Sequence, residues 1–336
     1  MAGRHGPQLV GRIGAVLVLA VSGAVVSAGD TPPRAGDRCV LADGVLTVDD
    51  LPAGSSVLDC DAVGRLVTHE GAGVTVPEPG TKVGVDALTT DGSRHGFTLE
   101  VAADGTVSYD LTAHGGTGER GLAASARPGK RRPASARAAC ADSAYSVSDH
   151  KEYGTYDWWI GDGPLPGNLT PAEARRAFED SISAITGTRN DCGYGDAVAA
   201  RSKYWAVTRH EADIDPEARC TARDGISVWD AGDLTSGVVA TTCSWSRPVP
   251  RGPDWLKEAD VRFNTGDYVF TENPGGDCSN AYDIRSVATH EAGHVFGLAH
   301  VGPGHEGQTM YTNSFACSTG ARTLGRGDVL GLRALY

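Results

Sequence analysis

The sequence predicts an α+β fold: a small mixed, twisted sheet, a long helix and a metal-binding helix packed on it, a closing C-terminal helix, and a small β-rich segment in front. Three observations predict it. Residues 290–300 read HEAGHVFGLAH, in which two histidines lie four apart and a glycine breaks the run three residues later. Thr170, Pro171, Ala172 and Glu173 form a capping box with proline at the first helical position, ahead of apolar residues at helical spacing. Between these two segments lie three strand-like runs, GISVWDAG, SGVVATTCSW and ADVRFNTG.

The histidine run carries the chemistry. Residues four apart share one face of a helix, so His290 and His294 can point at a single ion. Glu291, next to the first of them, is placed to hold a water beside that ion. Gly297 can adopt positive φ and turn the chain, so that His300 returns as a third nitrogen ligand. Three protein ligands and one open position describe a catalytic zinc site and not a closed structural one. The helix that carries them, DIRSVATHEAGHVFG, would turn Ile284, Val287, Ala288 and Val295 to the sheet.

The remaining elements follow in order. Arg4 and Arg12, an apolar run from Ile13 to Val26 and the small residues Val26, Ser27 and Ala28 read as a signal peptide over residues 1–28. Residues 29–113 read as a β-rich propeptide or accessory domain, with GFTLEVAADGTVSYDL as a hairpin turning at Ala103, Asp104 and Gly105. Residues 114–139 are Gly-, Ala-, Arg- and Ser-rich and form a linker in which Lys130, Arg131 and Arg132 invite proteolytic nicking. A zinc-binding domain then spans 140–336. It opens with the strand YDWWIGDG, continues with a helix carrying Ala174, Ala177, Phe178, Ile182 and Ile185 that stops at Gly187, and ends with a helix carrying Val329, Leu330, Leu332 and Leu335.

Composition limits the partners. The net charge of −12 argues against a nucleic-acid binder, which wants a basic face. No segment after the signal peptide is long and apolar enough to span a bilayer. Eight cysteines in an exported chain are most simply disulfides. Cys39 and Cys60 lie early and pair with each other; the connectivity of Cys140, Cys192, Cys220, Cys243, Cys278 and Cys317 stays open. The expectation is a secreted monomer.

The extended motif H-E-x-x-H-x-x-G-x-x-H is that of the metzincins. With Met310 in QTMYT downstream and the amphipathic C-terminal helix, residues 150–336 resemble the matrixin branch of that clan. The resemblance implies a zinc endopeptidase acting on protein or peptide substrates, with His290, His294 and His300 on the metal, Glu291 as general base, and Met310 beneath the metal. It implies an edge strand that binds substrate by β-augmentation, for which SGVVATTCSW is the choice. It also raises Ca²⁺, for which the acidic loop TENPGGDCSNAYD offers oxygen ligands. Matrixins hold themselves latent with a cysteine motif that GDRCVLADG around Cys39 does not match. Snapalysin-like relatives carry aspartate where His300 stands. His305 is expected at the cleft rim and Tyr311 in packing, neither on the metal. The competing class is a zinc-binding interaction module without catalysis, against which the intact Glu291 speaks.

Overall fold

The computed structural model describes residues 39–93, 95–111 and 136–336, which all fall in one compact unit, Cys39–Tyr336. The signal segment 1–28 and most of the linker expected at 114–139 lie outside the described residues. Among the described residues, no helix is long and apolar enough to cross a membrane.

Residues 39–111 are all β. Three short strands, β1 (Leu46–Thr47), β2 (Leu66–His69) and β3 (Ala72–Thr75), form a small sheet, and β4 (Thr81–Thr89), β5 (Gly96–Val101) and β6 (Val107–Asp110) form a meander. The expected hairpin is β5–β6, turning at Gly105 with φ of 88°. Alternation on β4 is strict. Val83, Val85 and Ala87 enter a core with Phe97, Leu99 and Trp245, whereas Lys82, Gly84, Asp86 and Leu88 are the alternate positions that a strand turns to the other face.

After the short helix α1 (Ala136–Ala141) and the two-residue strands β7 (Ser146–Val147) and β8 (His150–Lys151), the main elements follow. They are β9 (Thr155–Gly161), α2 (Pro171–Thr186), β10 (Arg201–Thr208), β11 (Val228–Gly232), β12 (Val238–Arg247) and β13 (Asp254–Asn264). Strands β10, β9, β11 and β13 run parallel, and β12 is antiparallel to β13. This is the mixed sheet the sequence predicts, with one strand more: β10 was not expected. Its exposed edge, RSKYWAVT, buries little and gives a weak apolar pattern.

The sheet does not stop at β12. Its far edge pairs antiparallel with β4, so the order is β10-β9-β11-β13-β12-β4-β5-β6, nine strands when β8 beside β13 is included. The two segments that composition separates therefore share one sheet and, through Val228, Val238, Cys243 and Trp245, one apolar core.

Helix α2 keeps its predicted start and stop. Thr170 Oγ1 accepts from the Glu173 amide, and Glu173 Oε2 accepts from the Thr170 amide at 2.9 Å. Its buried face (Ala177, Phe178, Ile182, Ile185) meets Trp158 of β9, Trp229 of β11 and Phe263 of β13. Strands β14 (Val269–Thr271) and β15 (Ala281–Asp283) lead into α3 (Ile284–Val295), β16 (Leu298–Ala299) pairs with β7, and α4 (Arg326–Leu335) ends the chain. All eight cysteines pair: Cys39–Cys60 as expected, then Cys140–Cys192, Cys220–Cys243 and Cys278–Cys317.

The loop from β10 to β11 folds back on β13 through three carboxylates, Asp213, Glu258 and Asp260, whose ligand atoms lie within 4.8 Å of one another. Asp260 accepts from the amides of Val228 (2.6 Å) and Asp213 (2.7 Å). Glu258 accepts from Gly225 (2.8 Å) and pairs with Arg223 (3.1 Å). Burial pushes Asp213 up to about 6, Glu258 up to about 7 and Asp260 well above the usual range. Each folded value lies above its unfolded one, so the folded chain keeps protons that the unfolded chain has released, and stability is lost as pH rises from about 4 through about 7. In thermal unfolding, Asp260→Asn should therefore lose less Tm between about pH 5 and about pH 8 than the unmodified protein does; an equal or larger loss would contradict the assignment.

Candidate metal centre

Helix α3 is set by its two ends. At the start, Asp283 Oδ2 accepts from the Ser286 amide at 2.9 Å and caps the helix, while Arg322 grips the same carboxylate at 2.5 and 2.8 Å. Every residue from Ser286 to Val295 is buried. At the other end Gly297 has φ of 90°, and a Cβ there would sit 2.1 Å from the His150 carbonyl oxygen, so only glycine lets the chain turn at this point. Strand β16 then carries His300 back to the helix.

The result brings the three predicted histidines together. Their Nε2 atoms are 2.9 Å (His290–His300), 3.1 Å (His290–His294) and 3.1 Å (His294–His300) apart, and all three side chains are buried. His290 Nδ1 donates to the Thr309 carbonyl at 2.7 Å and His294 Nδ1 to the Leu298 carbonyl at 3.0 Å. Those bonds place the proton on Nδ1 and leave the lone pair on Nε2. Burial, with His294 close by, brings His290 down to about 3, so the ring is neutral at ordinary pH. Lone pairs converging at this separation repel unless a cation sits among them. Adjacent ligands on a tetrahedral zinc with bonds of about 2.0 Å are about 3.3 Å apart, close to the separations here. The donor set fits Zn²⁺.

Glu291 is fully buried, and its Oε2 accepts from Thr242 Oγ1 of β12 at 2.7 Å. Its Oε1 makes no hydrogen bond among the described residues. Burial pushes this carboxyl up to about 8, opposed by the Thr242 hydroxyl and assisted by the charge of Asp86.

Residues 171–336, from the start of α2 to the last residue, match the matrixin family model. These residues form a matrixin-like metzincin metalloprotease domain. No curated protein matches the chain significantly.

In the matrixin domain Met310 is buried beneath α3, where a Cβ added at Gly293 would lie 2.2 Å from its Sδ. Glycine one residue before His294 is thus what admits the methionine. The turn that carries Met310 is tied to α4: Asp328 accepts from the amides of Thr309 (2.8 Å), Met310 (3.2 Å) and Gly325 (2.8 Å). Since Thr309 supplies the carbonyl that holds His290, Asp328 fixes the His290 ring through one intermediate residue. A cavity lined by Leu88, Tyr311, Asn313, Phe315 and Leu324 opens beside His290. His305 pairs with Asp142 at 2.9 Å, and Tyr311 stacks on Phe315. In the acidic loop 271–283, Asp283 is taken by Arg322 and Glu272 lies 3.9 Å from Arg285.

Sequence reasoning missed four residues that shape the site: Thr242, Asp328, His150 and Asp86. His150 Nε2 donates to the His294 carbonyl at 3.1 Å. Asp86 Oδ1 lies 3.7 Å from His294 Nδ1. A signal existed for two of them, since Asp328 and Asp86 are lone carboxylates on otherwise apolar stretches, GDVLGL and VGVDAL.

Replacing Gly293 by alanine should drive a methyl into Met310 and cost about 1–3 kcal/mol of stability, with weakened zinc retention. Thermal unfolding with and without zinc measures both; an unchanged Tm and zinc content would contradict the packing described.

Proposed function

We propose that the chain is an exported zinc endopeptidase in which His290, His294 and His300 hold the ion and Glu291 is the general base. The observation that carries this reading is the convergence of three buried imidazole nitrogens next to a buried glutamate whose second oxygen is uncommitted. Zinc bound there would polarise a substrate carbonyl and lower the pKa of a water to about 7.

The protein groups do the rest. Thr242 occupies Oε2 of Glu291 and leaves Oε1 for proton transfer. Glu291 takes the proton of the attacking water and returns it to the leaving amide nitrogen. Thr309 and Leu298 hold two of the rings by their Nδ1 protons, so the nitrogens that face the ion do not reorganise during the reaction. An extended peptide would pair along β12, with a side chain entering the cavity beside His290. Export rests on the signal-like residues 1–28, and four disulfides accord with an oxidising destination.

The test uses the whole chain, nicked by trypsin and then quenched with a trypsin inhibitor, on a quenched-fluorescence peptide library. Chelator should abolish cleavage and zinc restore it. Glu291→Ala should keep about one zinc per chain and lose about 10²–10⁴-fold in rate, whereas His294→Ala should lose the zinc itself, as read by elemental analysis. Zinc retained with no cleavage of any peptide would leave the non-catalytic binding module in its place.

A further inference from the structure

We infer that β4 is a built-in occupant of the substrate edge, which lies along β12 as a peptide substrate would and keeps the metal centre closed with Asp86 and Leu88. This deepens the protease reading and rests on it. Four independent features of the chain carry it.

First, β4 takes the position that an extended peptide needs. Eight register pairs join it to β12, from Val238↔Thr89 to Ser246↔Lys82, so the backbone groups of that edge are already used. No incoming strand can add there while β4 remains.

Second, the register aims β4 at the reacting groups. Asp86 lies opposite Thr242, the residue whose hydroxyl holds Glu291. Its buried carboxylate comes within 3.7 Å of His294. Two residues on, Leu88 is the same-face neighbour and lines the cavity beside His290. One strand thus puts an anionic group beside the His294 ring, on its Nδ1 side, and an apolar side chain in the cavity beside His290. Asp86 is also a costly residue to bury on a strand whose neighbours are valine, glycine, alanine and leucine.

Third, β4 is fastened at both ends to the matrixin domain and its surroundings. Lys82 bridges Asp254 of β13 at 2.5 Å and Asp149 at 3.2 Å. Thr89 accepts from the Ser314 amide at 3.2 Å, just past Met310.

Fourth, nothing covalent secures the segment except the main chain itself. Cys39 pairs with Cys60, and the other three disulfides all join residues between 140 and 317. A cut within residues 112–135, where Lys130, Arg131 and Arg132 stand, would leave residues 39–111 held only by noncovalent contacts. Their departure would free the edge of β12.

The experiment reads access to the metal, not turnover. The full chain is loaded with Co²⁺, and acetohydroxamate is titrated while the visible absorption of the ion is followed. Three forms are compared: the intact protein, intact Asp86→Ala, and protein cut by trypsin and separated from residues 39–111 by gel filtration. Asp86→Asn, which keeps the shape of the side chain, runs beside the alanine variant to cover a folding defect. The intact protein should need at least about tenfold more hydroxamate than Asp86→Ala or the cut protein, as expected when the open form is a minor population. Equal affinity in all three forms would overturn the inference. If access opens as described and the separated domain still cleaves no peptide, the protease reading fails while the closure by β4 stands.

Discussion

Three imidazole Nε2 atoms gathered about 3 Å apart inside the protein are the constraint on which the rest of the structure depends. Such a convergence of ring nitrogens is a donor set that suits a cation. Everything around them removes alternatives. The carbonyls of Thr309 and Leu298 take the Nδ1 protons, Gly297 makes the turn that returns His300, and Gly293 admits Met310 beneath the helix. Asp328, from the last helix, ties the Met310 turn to its place. The C-terminal helix therefore does more than close the core. It holds the floor of the site.

The acidic cluster at Asp213, Glu258 and Asp260 shows the contrast. It too gathers three ligand-type groups, yet its oxygens accept backbone amides and one faces Arg223. Those contacts fold the β10–β11 loop onto β13. In the histidine cluster the carbonyls of Thr309 and Leu298 hold two of the Nδ1 atoms. Burial acts in the same direction on both kinds of group, toward the neutral form, raising the carboxyls and lowering His290. For imidazoles the neutral form is the one that binds metal.

What the sequence disclosed was whatever is written locally. The capping box at Thr170, the stop at Gly187, the β5–β6 hairpin, the faces of α3 and α4 and the Cys39–Cys60 pair depend on residues close in the chain, and the structure has them. The histidine triad was legible for the same reason, since the four-residue spacing and the glycine turn define it within 290–300. Long-range pairing was not legible. That β4 lies on β12 is set by eight cross-strand pairs between residues about 150 positions apart, and no periodicity reports it. Thr242 and Asp328 act on α3 from other elements, so their roles follow from topology alone. β10 went unread because an exposed edge strand carries little apolar alternation.

X-ray absorption at the zinc edge of the metal-loaded protein reads the donor set directly. It should show one zinc per chain, with three imidazole nitrogens at about 2.0 Å, oxygen in the remaining position and no sulfur. A sulfur shell at about 2.3 Å, or fewer than three imidazole nitrogens around the ion, would contradict this donor set.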